Sequence, residues 1–126
     1  MKALQVIESA YRGTLEEQDD TVVWITHAMK GAGADLDVLL TGNAVNYAVA
    51  AQEVPNLSFG MHRQKHAPDI AGSVAGLLDK GVAVYFVSED AVDRGLAGKD
   101  LIEGLTPVTR AGAAALYRDY DQIWNW

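Results

Sequence analysis

Val82-Ala83-Val84-Tyr85-Phe86-Val87 decides the fold class. The run is apolar at every position, so neither side of a strand built from it can face water. Strands of that kind sit inside a parallel sheet covered on both faces, whereas half-exposed strands alternate. Gly81 ends the element before this run, and Ser88 opens the one after it.

Upstream of this strand, Asp69 opens a helix in which Ile70, Val74, Leu77 and Leu78 form one apolar face, with Gly81 as its stop. Before that helix, Pro55, Asn56, Ser58 and Gly60 mark a loop reaching to Pro68. A short alanine-rich helix is predicted over Val45 to Gln52, and a second strand over Leu36 to Leu40, ending in Thr41-Gly42-Asn43. The first strand is Ala3 to Ile7. Thr14 and Glu17 have capping-box spacing, with Glu16, Asp19 and Asp20 also near the helix start, where the dipole favours negative charge. Val22, Ile25 and Met29 continue at helical spacing to a stop at Gly31 or Gly33. Downstream, Ser88 to Leu105 is expected to hold a short helix or two, around Lys99 to Glu103. A brief strand at Pro107-Val108, a helix over Ala111 to Arg118 and a last strand from Gln122 to Trp126 complete the chain.

Strands thus alternate with helices, the pattern of an α/β fold: a three-layer α/β/α arrangement with a mainly parallel five-stranded sheet. No linker, repeat or low-complexity segment interrupts the 126 residues, which are expected to form a single domain over 1–126.

Composition excludes several chemistries. The formal charge of −7 argues against nucleic-acid or anionic-membrane binding, which needs a basic surface. No stretch is long and apolar enough to span a membrane, and Gln5 and Glu8 interrupt what would be a signal-peptide core, so a cytoplasmic protein is expected. The absence of cysteine removes disulfides, thiolate metal sites, cysteine nucleophiles and persulfide carriage.

Ligands of such sheets bind at the carboxyl ends of the strands, here Ser9 to Gly13, Thr41 to Asn46 and Ser88 to Asp90. No glycine-rich phosphate loop occurs there, and Glu8 with Glu89-Asp90 only loosely echoes a phospho-acceptor domain. Neither a nucleophile elbow nor an EF-hand spacing is present, so no cofactor, catalytic residue or resident metal is assigned. The segment Val54 to Pro68 carries no carboxylate but does carry His62, Arg63, Lys65 and His66. It reads as a solvated loop or as a local cationic site for an anionic ligand or acidic partner. His62 and His66 share a face only if that stretch is helical, and no third metal ligand can be named. His27 reads as a half-buried, hydrogen-bonded residue of the first helix. Gly72 and Gly76 cost about 1 kcal/mol each inside a helix, and leave a smooth stripe for the domain's own sheet or a neighbouring subunit. Alternation places Trp124 and Trp126 on one face of the last strand.

The order and spacing of Thr41-Gly42-Asn43-Ala44-Val45, the Ile70–Gly81 helix with Lys80-Gly81, the strand Val82–Val87, Val92-Asp93-Arg94-Gly95-Leu96 and Asp121-Gln122-Ile123 resemble the DsrE/DsrF-like sulfur-relay family, which includes TusD- and YchN-type proteins. The resemblance spans nearly the whole chain. It implies an α/β domain that assembles into trimers or hexamers, of itself or with related DsrE-type subunits. It also implies a persulfide-bearing cysteine eight residues before the glycine of the Arg-Gly pair; here that position is Val87, and the neighbouring Ser88 cannot replace it, since an alcohol forms no persulfide. The leading expectation is therefore an oligomeric binding or accessory subunit without its sulfur carrier. Tyr11, Arg12, Asn43, Asn46 and Ser88 at strand ends, with His62 and Arg63 on a covering loop, are the expected contacts to a small polar or anionic ligand. A cysteine-independent enzyme using His62 or His66 as acid–base, and a purely structural partner, are the alternatives.

Overall fold

The computed structural model describes residues 1–11 and 20–126. In chain order these form β1 (Lys2–Ile7), α1 (Thr21–Gly31), β2 (Asp35–Leu40), a 3-10 helix (Gly42–Ala48), β3 (Ser58–Phe59), β4 (His62–Arg63) and α2 (Ile70–Asp79). They continue with β5 (Val84–Val87), α3 (Ser88–Asp93), β6 (Thr106–Val108), α4 (Arg110–Leu116), a 3-10 turn (Tyr117–Asp119) and β7 (Gln122–Asn125). The main sheet has the order β6-β5-β2-β1-β7, and each of its four pairings is parallel. The β5 strand lies inside it, as its apolar run requires.

Period-two alternation sorts the strand residues onto two faces. Ala3, Ile7, Leu36, Val38, Leu40, Val84 and Phe86 pack under α1, α2, α3 and the Gly42–Ala48 helix. Leu4, Val6, Leu39 and Val87 face the other way, against Ala113 and Leu116 of α4. The three layers are those expected. Gln5, fully buried in β1, is satisfied on both sides. Its amide nitrogen donates to Thr26 Oγ1 of α1 at 2.8 Å, and its oxygen accepts from Trp126 Nε1 at 2.7 Å. Trp124 packs on the same face as Trp126, as alternation predicts. Among the described residues, no helix is long and apolar enough to cross a membrane.

Four local expectations need correction. First, α1 begins at Thr21, because Asp20 supplies the cap: its Oδ1 accepts from the amides of Val22 and Val23 at 2.9 and 3.1 Å. The Thr14–Glu17 box lies outside the described residues. Second, the short helix after β2 is a 3-10 helix over Gly42–Ala48, not 45–52. Gly42 enters it at φ +52°, and a Cβ there would stand 3.1 Å from Glu8 Cγ, so the turn requires glycine. Third, the 55–68 loop contains a hairpin, Phe59 pairing with His62 across Gly60-Met61. Gly60, at φ +57°, takes the positive-φ first position of a two-residue turn. Fourth, the helix after β5 is α3 at Ser88–Asp93; Gly95 and Gly98, both at positive φ, turn the chain before residues 99–103.

The two glycines of α2 are explained within the chain. The His27 imidazole of α1 would stand 3.2 Å from a Cβ at Gly76, and its Nε2 is 2.7 Å from the Ser73 carbonyl oxygen. A Cβ at Gly72 would collide at 2.3 Å with the Asp69 carboxylate, which accepts from the Gly72 amide as the helix cap. Within the chain the stripe therefore seats α1 at Gly76 and a cap at Gly72, not the sheet. His27 is half-buried and bonded, as read from sequence. Gly76→Val is expected to push His27 off α2 and lower the thermal midpoint by several degrees. Circular-dichroism melts check this.

Candidate functional site

Parallel strands deliver their carboxyl ends to one edge, so the residues following β1, β2, β5 and β7 meet there. A cleft of about 450 Å³ opens at this edge. Its apolar lining is Val6, Val87, Ala113 and Ala114; Glu8, Thr41, Gly42, Asp90, Arg110, Tyr117 and Asn125 complete it. Val87 ends β5 on the α4 face and is 2% exposed.

The polar rim is an ordered network. Asp90 Oδ2 accepts from the Gly42 amide at 2.8 Å, and its Oδ1 from Arg110 Nη2 at 2.7 Å. The same Arg110 nitrogen reaches Asp93 Oδ2 at 2.8 Å, while the Arg110 amide donates to the Glu89 carboxylate at 3.0 and 3.1 Å. Arg94 Nε donates to Asn43 Oδ1 at 2.9 Å and its Nη1 to the Asp90 carbonyl. Thus Thr-Gly-Asn after β2 and Asp-Arg-Gly after α3, separate motifs in the sequence, are stitched together at the strand ends.

Partial burial opposes the Asp90 charge, but the Gly42 amide and the Arg110 guanidinium outweigh it and hold the carboxyl below the usual range. Glu89 is likewise held low, by its own amide and that of Arg110. A depressed folded-state value means that Asp90 stabilises the fold above its unfolded value of about 4 and that this contribution is lost as pH falls through the folded value. Asp90→Asn is expected to flatten the loss of stability below about pH 4. Urea midpoints across that range measure this; an unchanged slope counts against it.

The residues expected from sequence do not converge on this cleft. Tyr11 and Asn46 line a separate groove with Val49, Gln52, Glu53 and Val54. Tyr11, at φ +59°, stacks edge-on against Tyr47, its centroid 5.1 Å away. Asn46 donates to the Asn43 carbonyl, Asn43 holds Arg94, and Ser88 Oγ bonds the Val108 carbonyl and Glu89 at 3.2 Å each. Arg12 lies outside the described residues. His62 and Arg63 are exposed on β4 and line neither groove, and His66 is exposed beyond it. Because 62–63 is a strand, the helical spacing that would pair His62 with His66 does not occur. Among the described residues, no group of three histidine or carboxylate side chains is placed to hold a metal ion. Asp90, Arg110, Glu8, Tyr117 and Asn125 were missed as a site. Glu8 and Glu89-Asp90 at strand ends were the only signal for them.

No model of a known protein family matches the sequence, and no curated protein matches it either. Solved structures do. The YchN protein from E. coli superposes with a TM-score of 0.69 at 18% identity, covering 99% of this chain and 98% of that one. The chain has the YchN fold. Two proteins of unknown function share it: MTH1491 from Methanobacterium thermoautotrophicum (TM-score 0.65, 15% identity, 98% and 97% covered) and BT1422 from Bacteroides thetaiotaomicron (0.65, 13%, 98% and 94%). The fold implied by the DsrE/DsrF-like resemblance is therefore the one observed. Within this YchN-like frame the β5 end carries Val87, and the chain contains no cysteine.

Proposed function

We propose that this chain is a DsrE-like binding or accessory subunit related to sulfur relay that carries no sulfur itself. The observation that supports this most is Val87: its methyls line the strand-end cleft at the position where the resemblance implies a thiol. A hydrocarbon cannot be sulfurated, so what remains for the cleft is to bind a small polar ligand. The reading includes self-association into trimers or hexamers, or assembly with related DsrE-type subunits, in the cytoplasm. Exposed apolar side chains support association, above all Phe59 and Met61 at the hairpin tip, which are 73% and 101% exposed. Met61 and its neighbours His62, Arg63, Lys65 and His66 lie in a segment without carboxylates, and an acidic partner suits that charge.

Two measurements test the reading. Incubated with a low-molecular-weight persulfide, the wild-type chain is expected to retain no sulfane sulfur, and Val87→Cys to retain one equivalent per chain. A folded Val87→Cys protein that stays unsulfurated removes the correspondence of position. Light scattering is expected to return the mass of three or six chains, and Phe59→Ser with Met61→Ser to lower it. A wild-type monomer at micromolar concentration overturns the assembly reading.

A further inference from the structure

The charge and shape of the strand-end cleft define its ligand further. Four carboxylates stand at or beside it, Glu8, Glu89, Asp90 and Asp93, against two guanidiniums, Arg94 and Arg110. Both guanidiniums are already engaged: Arg110 is shared between Asp90 and Asp93 at 2.7 and 2.8 Å, and Arg94 is bound to Asn43 and the Asp90 carbonyl. Neither offers an uncompensated positive charge to an anion. Asp90 is saturated on both oxygens. Glu8 is different. Glu8 is exposed, and among the described residues no donor reaches its carboxylate, while its backbone is fixed by its amide donating to the Trp126 carbonyl and its carbonyl accepting from the Ala44 amide. Gly42, which admits no side chain at its φ, leaves the Glu8 side chain room at the cleft. Beneath lie Val6, Val87 and Ala113, and Tyr117 is the one aromatic residue of the lining.

An apolar base, a carboxylate that no described donor reaches and an aromatic ring together suit a cation that carries hydrocarbon. We infer that the strand-end cleft takes a small organic ammonium ion, its hydrocarbon on Val6, Val87 and Ala113 and its charge on Glu8. The net negative surroundings attract such an ion and repel its anionic counterpart. The cationic hairpin lines no part of this cleft, so an anionic contact there and a cation here are separate events. The inference rests on the reading of this cleft as a ligand site.

Titration with cyclohexylmethylammonium and with cyclohexanecarboxylate, matched in body and opposite in charge, tests it. Methyl resonances of Val6, Val87 and Ala113 report the site. The ammonium ion is expected to shift all three saturably, with a dissociation constant at least tenfold lower than that of the carboxylate. Glu8→Gln is expected to weaken ammonium binding at least fivefold while the rest of the spectrum stays folded. Equal or tighter binding of the carboxylate at these methyls overturns the inference but leaves the cleft a ligand site. Shifts from neither probe remove both. Ammonium binding unaltered by Glu8→Gln overturns the assignment of the charge to Glu8.

Discussion

Asp20→Ala is expected to destabilise the protein by about 2–4 kcal/mol, a large share of a stability of roughly 5–15 kcal/mol. Asp20 is fully buried and serves two ends at once. Oδ1 caps α1 through Val22 and Val23, and Oδ2 accepts from the Tyr47 hydroxyl at 2.5 Å. That hydroxyl in turn accepts from the Tyr11 amide. Alanine removes the cap, worth about 1 kcal/mol, and orphans a buried phenol, worth about 1–3 kcal/mol more. Tyr47→Phe leaves the cap intact but takes a donor from the buried carboxylate, and is expected to cost about 1 kcal/mol less than Asp20→Ala. Chemical denaturation of the two variants checks the order; equal costs would place the whole effect in the phenol. Burial first, and the Asp20 carboxylate second, push the Tyr47 phenol far above its ordinary value of 10. A raised value means that stability is complete below the unfolded value, about 10, and is lost as pH rises beyond it. Alkaline unfolding and the ionisation of Tyr47, followed at 295 nm, are therefore expected to coincide.

Asp37→Ala is expected to cost a comparable 2–4 kcal/mol, for a different reason. Asp37 lies in the middle of β2 on the α4 face, 7% exposed, where an unpaired carboxylate would be unfavourable. Three donors compensate it: the Ala83 amide at 2.8 Å, the Tyr120 hydroxyl at 2.7 Å and Lys2 Nζ at 3.0 Å. Two of them are held by the fold itself, and removal of the carboxylate strands both. Lys2 is half-exposed, and an ion pair to such a side chain contributes at most about 1 kcal/mol. Lys2→Met should therefore be mild, even though Lys2 also sits 4.9 Å from the centre of the Tyr120 ring. Melting both variants measures the difference. Equal losses would mean that the ion pair, not the buried hydrogen bonds, carries the effect.

How far the sequence was legible depends on the range of the interactions involved. The strands β1, β2 and β5 and the helix α2 were legible because their apolar spacing states their own burial. The start of α1 was not. Thr14-Glu17 and Asp20 are both good caps locally, and only the buried Tyr47, distant in sequence, makes Asp20 the one seen. The hairpin at 58–63 escaped because its strands are two residues long and exposed, so burial imposed no alternation on them. Helix α3 was misplaced because a helix this short is set by Gly95 and Gly98 beyond it rather than by a repeating face. The strand-end cleft was located in principle by the parallel sheet, yet its composition was not. Asn43 and Ser88 were chosen for their position, but they face internal partners, while Arg110 is brought in from α4 by contacts to Asp90 and Asp93.

The strand order β6-β5-β2-β1-β7 sets a timetable for synthesis. Of the described strands, β1 comes earliest in the chain and lies between β2 and the latest, β7; the Lys2 amide donates to the Asp121 carboxylate, just ahead of β7, across 119 positions. Until β7 emerges from the ribosome, one side of β1 has no partner, and Gln5 lacks the indole that satisfies its carbonyl. The nascent chain thus carries an open edge from the time β1 is made until β7 follows, the kind of surface on which chaperones act and misassembly begins.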